Sequence, residues 1–371
     1  MMKTISAEGN CDYMDRALRE KLGMVVFIAA IILMLVNPLR VTNFNIEDAD
    51  VSTYIIAPML MIPVLAYFTF KNGITPEAGA VDIALGCAAL LAFVLLTLYL
   101  QFLLSYKFMS YRIDMLIFPL AIFGLATLLF GLKNIQKFRA LILYPLFAST
   151  FLAPVLLNIN AGFATLNSVF VYNILHSLTS QVTYIPPITI HAGLYSIGIG
   201  TSCAGIAVFL ALVLFMLPIA YYADGKLKDK LFWIVSGLLL LLLLNFLRMA
   251  SIAFVWLNYG PSGTVSYVHS FVGILIFYVN VLAMMLLLPK YGLSFSKAAK
   301  PVRTGKGAAG DNGLMFLSCL LAVVFAVIYF AVSLNYLSLL NISPTILRRA
   351  SGTIFRPDIS SGLREVTLPP R

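Results

Sequence analysis

Arg248 is the residue whose position most needs a chemical explanation. It stands inside the apolar run LLLLLLLNFLRMASIAFVW. An arginine near the middle of a membrane span costs about 2.5–3.5 kcal/mol on insertion scales. Snorkelling to the interface is the plainest account. Leu257 is nine residues on, about 14 Å at helical rise, and a guanidinium only just reaches that far. Asn245 and Ser251 lie three residues to either side, which predicts one polar face turned inward, with both residues beside a substrate. Cys203, in GIGTSCAGIAVF, follows a glycine-rich turn and is expected to open a helix. A helix N-terminus lowers a thiol pKa and offers free backbone N–H groups as an oxyanion site. Ala204 and Gly205 leave room for a substrate backbone. His269, in SYVHSFVG, begins a later apolar run. Alone it would be an interfacial histidine, and His176 and His191 keep that reading. Cys87 and Cys319 are expected to be buried structural thiols. The four cysteines show no CxxC spacing, and there is no HExxH, so neither a metal nor a cofactor is expected.

These residues need elements that hold them. The 371-residue chain is 61% hydrophobic and only 11% charged, against about 25% charged in soluble domains. That excludes an ordinary cytosolic enzyme and a disordered chain. Recurrent apolar runs of 18 or more residues predict an all-α, polytopic transmembrane bundle. About nine spans are expected, near 23–39, 52–70, 80–104, 113–132, 139–157, 203–223, 231–257, 267–289 and 313–341. The first is read as a retained span, not a cleaved signal. The net charge of +10 is a topology signal first. With the N-terminus inside, sixteen Lys/Arg fall in cytoplasmic segments and three (Arg40, Lys107, Arg112) in outer loops. No Lys/Arg stripe suggests nucleic acid.

Residues 158–202 carry no Lys, Arg, Asp or Glu. Polar residues at 165, 168, 173, 176 and 180 predict a short amphipathic helix over 164–180 at the outer interface. Residues 186–200 predict a hairpin around His191-Ala192-Gly193. Four regions follow: N-terminal helices (1–160), a core (161–290), a basic cytoplasmic linker (291–312), and a final span with an extracytoplasmic tail (313–371). N-in topology brings Cys203, Arg248 and His269 to similar depth near the outer leaflet, on consecutive spans. A thiol, a guanidinium and an imidazole at one depth supply nucleophile, electrostatic stabiliser and base.

Ser202-Cys203-Ala204-Gly205-Ile206, Asn245-Phe246-Leu247-Arg248 and Val268-His269-Ser270 together resemble the exosortase/archaeosortase family of membrane transpeptidases. The likeness covers about residues 160–290. It implies a cell-membrane cysteine peptidase or transpeptidase of the protein-sorting class, its active site facing the extracytoplasmic side. Its partners would be secreted surface proteins ending in a tripartite tail of motif, hydrophobic span and basic cluster. The enzyme would cleave near the motif and pass the new end to a lipid or other anchor. Cys203 would be the nucleophile, His269 the proton carrier and Arg248 the oxyanion or peptide ligand. Ala204 departs from the serine of many bacterial members and matches archaeal relatives, whereas a histidine in third place is typical of bacterial ones.

Other classes fit less of the chain. A transporter or flippase would use Arg248 to bind an anionic substrate, but no inverted repeat is present. A polysaccharide polymerase would need charged outer loops. A structural subunit would use the polar face of the seventh span for packing. A rhomboid-type protease would need GxSG. N-in topology makes a prediction of its own. An impermeant thiol reagent applied from outside should modify Cys203 and spare Cys11, and modification of Cys11 instead would invert the topology.

Overall fold

The computed structural model describes residues 8–41, 49–71, 74, 78–105, 107–108, 111–149, 153–192, 195–199, 206–259, 263–295 and 312–341. Its helices are α1 (Glu8–Val41), α2 (Ala49–Lys71), α3 (Ala80–Leu104), α4 (Ile113–Phe130), α5 (Ile135–Leu143), α6 (Ala153–Leu178), α7 (Ile206–Tyr222), α8 (Leu227–Tyr259), α9 (Gly263–Leu287) and α10 (Asn312–Asn341). Strands β1 (Val182–Ile185), β2 (Thr189–Ala192) and β3 (Tyr195–Gly198) lie between α6 and α7. Lipid offers no partner to backbone groups, so apolar runs of this length close their own hydrogen bonds as helices. Among the described residues six helices are long and apolar enough to cross a membrane, and two shorter apolar helices accompany them, Ile56–Lys71 and Val208–Tyr222.

Eight of the nine expected spans coincide with helices, and the one expected at 139–157 is broken. The chain there runs α5, then a 3-10 turn (Tyr144–Ala148), and reaches extended backbone at Ser149. Pro145 has no N–H to continue the α5 ladder, and the backbone tightens there into the 3-10 turn. The short interfacial helix at 164–180 is corrected too: those residues belong to α6, 26 residues long, which ends at Leu178. Asn173 and His176 of the expected polar face are exposed, while Asn167 and Ser168 return hydrogen bonds to their own helix. Asn167 Nδ2 donates to the Phe163 carbonyl at 2.9 Å and Ser168 Oγ to that of Ala164 at 2.8 Å. The expected hairpin is two strands of a three-stranded antiparallel meander, β1-β2-β3, with Thr183 opposite His191 and His191 opposite Ser196.

The chain divides into two compact units. The first comprises Met1–Val41, Pro58–Ser149 and Ser296–Ile342. Its core is a ring cluster of Phe27, Phe70, Phe130 and Phe138, with centroids 5.0–5.8 Å apart. Asn37 of α1 donates to the Phe330 carbonyl and to Ser333 Oγ of α10, both at 2.9 Å. Arg112 lies in the turn just before α4, where it is buried in a two-pronged pair with Asp114 at 3.0 and 3.1 Å. Asp82 caps α3 through the Gly79 N–H and accepts the Leu132 N–H at 3.1 Å, tying the start of α3 to the end of α4.

The second unit comprises Thr42–Ala57, Thr150–Phe295 and Ser343–Arg371. Helices α8 and α9 are tied side by side by two buried donors. Trp233 Nε1 donates to the Met284 carbonyl at 2.8 Å, and Asn280 Nδ2 to that of Gly237 at 3.1 Å. The meander buries Val182, Ile190, Ile197 and Ile199 against Val171 and Leu175 of α6 and Met249, Ile252 and Ala253 of α8.

Close approach of α3 and α4 in the first unit is testable. A Cβ on Gly86 would stand 2.7 Å from the Leu128 backbone nitrogen, and one on Gly124 would meet Leu90 at 2.8 Å. Small residues let membrane helices meet backbone to backbone. Gly86→Ala should destabilise the protein by about 1–3 kcal/mol, as overpacking does. Thermal unfolding in detergent checks it, and an unchanged midpoint would show that these helices have room to part.

Candidate functional site

Asn245 and Arg248 occupy the buried face of α8, with relative exposures of 6% and 5%. Asn245 Nδ2 donates to Asn167 Oδ1 of α6 at 3.3 Å. One residue on, the Phe246 ring stacks on Phe170 with centroids 4.0 Å apart, so α6 and α8 are locked beside the polar pair. Ser251 is exposed and its hydroxyl returns to the Leu247 carbonyl at 2.8 Å. The expected single face therefore divides. Each three-residue step falls about 60° short of a full turn, so two steps leave Ser251 about 120° round the helix from Asn245.

Arg248 carries the unusual chemistry. Its Nε and Nη2 have no hydrogen-bond partner among the described residues. A buried donor left open costs about 1–3 kcal/mol, and more when charged. Its Nη1 lies against the backbone of Gly273 on α9, where any Cβ would collide with the guanidinium. Gly273 is thus a notch that admits the arginine head between α8 and α9. A planar guanidinium with Nε and Nη2 open can grip a carbonyl or oxyanion through two parallel donors.

Helix register places the third residue. Down the α8–α9 pair, Trp233 stands by Met284, Gly237 by Asn280 and Arg248 by Gly273. The first two pairs step four residues along each helix, and at equal rise that register brings the backbone of His269, four residues before Gly273 on α9, level with Arg248, one turn before Ile252. Ile252 shares its core cluster with Ile199. Ile199 is held in turn: its N–H donates to the Ile188 carbonyl at 2.9 Å, and Ser168 Oγ of α6 lies 3.4 Å from that same oxygen. Cys203 lies four residues after Ile199 and outside the described residues, as do Ala204 and Gly205. His269 is described only as part of the helical backbone.

His176 is exposed and stacks on Tyr172 at 5.3 Å, and His191 is half-buried in the middle strand. Cys319 is buried and Cys87 half-buried, both as free thiols. Among the described residues no three His, Cys, Asp or Glu side chains converge as metal ligands would. Two residues at the site escaped the sequence reading. Asn167 was hidden on a helix taken to be interfacial. Gly273 carried a usable signal, a glycine one turn after His269 inside an apolar helix.

The family model described as Transmembrane exosortase (Exosortase_EpsH) matches residues 50–287, more than half of the chain. The chain belongs to the transmembrane exosortase family. The exosortase match spans α6, the meander, α7, α8 and α9, so Asn167, Arg248 and Gly273 all fall inside it. No curated protein and no solved structure matches the chain. Membership and the six apolar helices make it a multi-pass membrane protein of the sorting-enzyme class.

The notch predicts a specific sensitivity. Gly273→Ala should displace the Arg248 head and reduce activity about 10²-fold, the order seen when one oxyanion donor is lost. Gly162→Ala, where a Cβ meets nothing within 4 Å, is the control and should leave activity unchanged. The readout is enzyme activity at equal amounts of folded protein. Equal activity in both variants would mean that the guanidinium is not held by the notch.

Proposed function

We propose that this exosortase cleaves the C-terminal sorting tail of secreted surface proteins with Cys203 and hands the new end to an acceptor. The buried, open guanidinium of Arg248 carries the reading. A charge kept inside a membrane helix at that cost, with two donors unspent, fits a group whose partner arrives with substrate. His269 takes the proton from the Cys203 thiol, and the thiolate attacks the scissile carbonyl. Arg248 Nε and Nη2 donate to the oxygen that gains negative charge. The C–N bond then breaks, and His269 returns the proton to the leaving amine. The remaining thioester is resolved by a nucleophilic acceptor or by water. Arginine stays protonated at any working pH, so the proton-carrying role falls to the imidazole. Asn245, braced by Asn167, lines the same face of α8 and borders the substrate. Ser251 stands at the exposed margin, where a tail lying along α8 would meet its hydroxyl.

The geometry required of Cys203 is modest. Four extended residues reach at most about 14 Å from the anchored Ile199, which itself packs with Met249 beside Arg248. The extracytoplasmic side suits the reaction, because secreted tails arrive there. Partial exclusion of water would let an amine or lipid-linked acceptor compete with hydrolysis.

The test is a processing assay. A surface protein bearing a motif–span–basic tail is co-expressed with the exosortase, and the new end is read by mass spectrometry. Wild type should remove the tail and Cys203→Ala should not. Arg248→Lys should lose about 10²-fold, since lysine offers a point charge and no planar fork. Processing by Cys203→Ala at the wild-type rate would overturn the cysteine mechanism and favour a transporter that uses Arg248 as an anion ligand.

A further inference from the structure

At the opposite end of the α8–α9 pair the second unit has an open bowl of about 390 Å³ lined by Asp229, Phe232, Leu287, Lys290 and Tyr291. Ligand pockets run from about 300 to 1,000 Å³, so it has room for one small group. Backbone geometry builds its rim. Asp224 and Ser294 exchange N–H···O bonds at 2.7 and 3.2 Å, joining the loop before α8 to the segment after α9. Gly292 turns with φ +70°, a left-handed conformation that favours glycine, and its Cα side faces the Asp229 carboxylate. The Phe232 and Tyr291 rings lie 5.6 Å apart, inclined at 53°. Among the described residues neither Asp229 nor Lys290 has an ion-pair partner, although they carry opposite charges around one opening.

We propose that this bowl binds the headgroup of an amine-bearing zwitterionic phospholipid, a phosphoethanolamine lipid, separately from the catalytic site. The headgroup ammonium donates to Asp229 and lies against the Phe232 and Tyr291 rings, where cations are attracted. Its phosphate pairs with Lys290. The bowl sits where the span Leu227–Trp256 begins and the span Phe271–Tyr291 ends, which is headgroup depth. Exposed Val235 and Leu239 of α8 and Leu282 and Leu286 of α9 continue from it along the two spans and offer acyl chains an apolar track. A soluble zwitterion would have no use for that track. An anionic headgroup would bring its phosphate to Lys290 but carry no ammonium for Asp229, and a choline headgroup has no N–H to donate.

Native mass spectrometry of the full chain in detergent tests this with phosphatidylethanolamine, phosphatidylglycerol and phosphatidylcholine of matched acyl chains. Wild type should retain phosphatidylethanolamine about fivefold better than the other two, the order of one screened charge contact. Asp229→Asn, nearly isosteric, and Phe232→Leu should each abolish that preference. Lys228→Gln, exposed and outside the bowl, should keep it. Equal retention of the three lipids by wild type would overturn the proposal, as would an undiminished preference in Asp229→Asn. Displacement of the lipid by an equal concentration of free phosphoethanolamine would also overturn it, by showing that the acyl chains contribute nothing.

Discussion

A guanidinium buried between α8 and α9, two of its donors without a partner among the described residues, is the constraint around which the second unit is arranged. Lipid cannot solvate it, and an unpaired charge in a helix bundle persists only where its surroundings fix it. Gly273 removes the side chain that would fill its place. The ties from Trp233 to Met284 and from Asn280 to Gly237 hold α8 and α9 in the register that leaves Gly273 within reach of the Arg248 head. A slip of one residue along either helix would turn the notch about 100° away and press the arginine against a side chain.

The helix α6 and the meander serve the same end. Asn167 and Phe170 grip Asn245 and Phe246, which fixes the rotation of α8 just before Arg248. The meander then covers Met249, Ile252 and Ala253 just after it. Arg248 is therefore bracketed along its own helix by one polar clasp and one apolar lid. Through Ile199, the lid also holds the last described residue before Cys203 in the chain.

Much of this was legible in the sequence. Apolar length alone gave the helical class, because a spanning segment has no other way to satisfy its backbone. Arg248 announced itself by its cost, and Asn245 by sharing its face. The errors have physical causes. The run 139–157 is apolar enough to cross, but Pro145 breaks it, and hydropathy does not see a missing N–H. The helix expected over 164–180 starts eleven residues earlier, because the apolar run from Ala153 carries no proline past its first turn and extends it. Ser251 was grouped with Arg248 by spacing, though the shortfall of each three-residue step carries it to the exposed side. Gly273 has no side chain to draw the eye, and its use shows only when α9 is laid against α8.

The two ends of the α8–α9 pair divide the labour of a membrane enzyme. One end holds a buried cation with two donors unbonded among the described residues, and the other sets opposite charges around one opening. The central claim is that Cys203 and His269 converge beside Arg248. It is tested most directly by disulfide trapping with Cys11, Cys87 and Cys319 changed to serine. Under mild oxidation His269→Cys should cross-link to Cys203, as two cysteines do only when their Cα atoms lie within about 7 Å. Ser270→Cys, one residue round α9, should cross-link far less. Efficient trapping at position 270, with none at 269, would contradict the account.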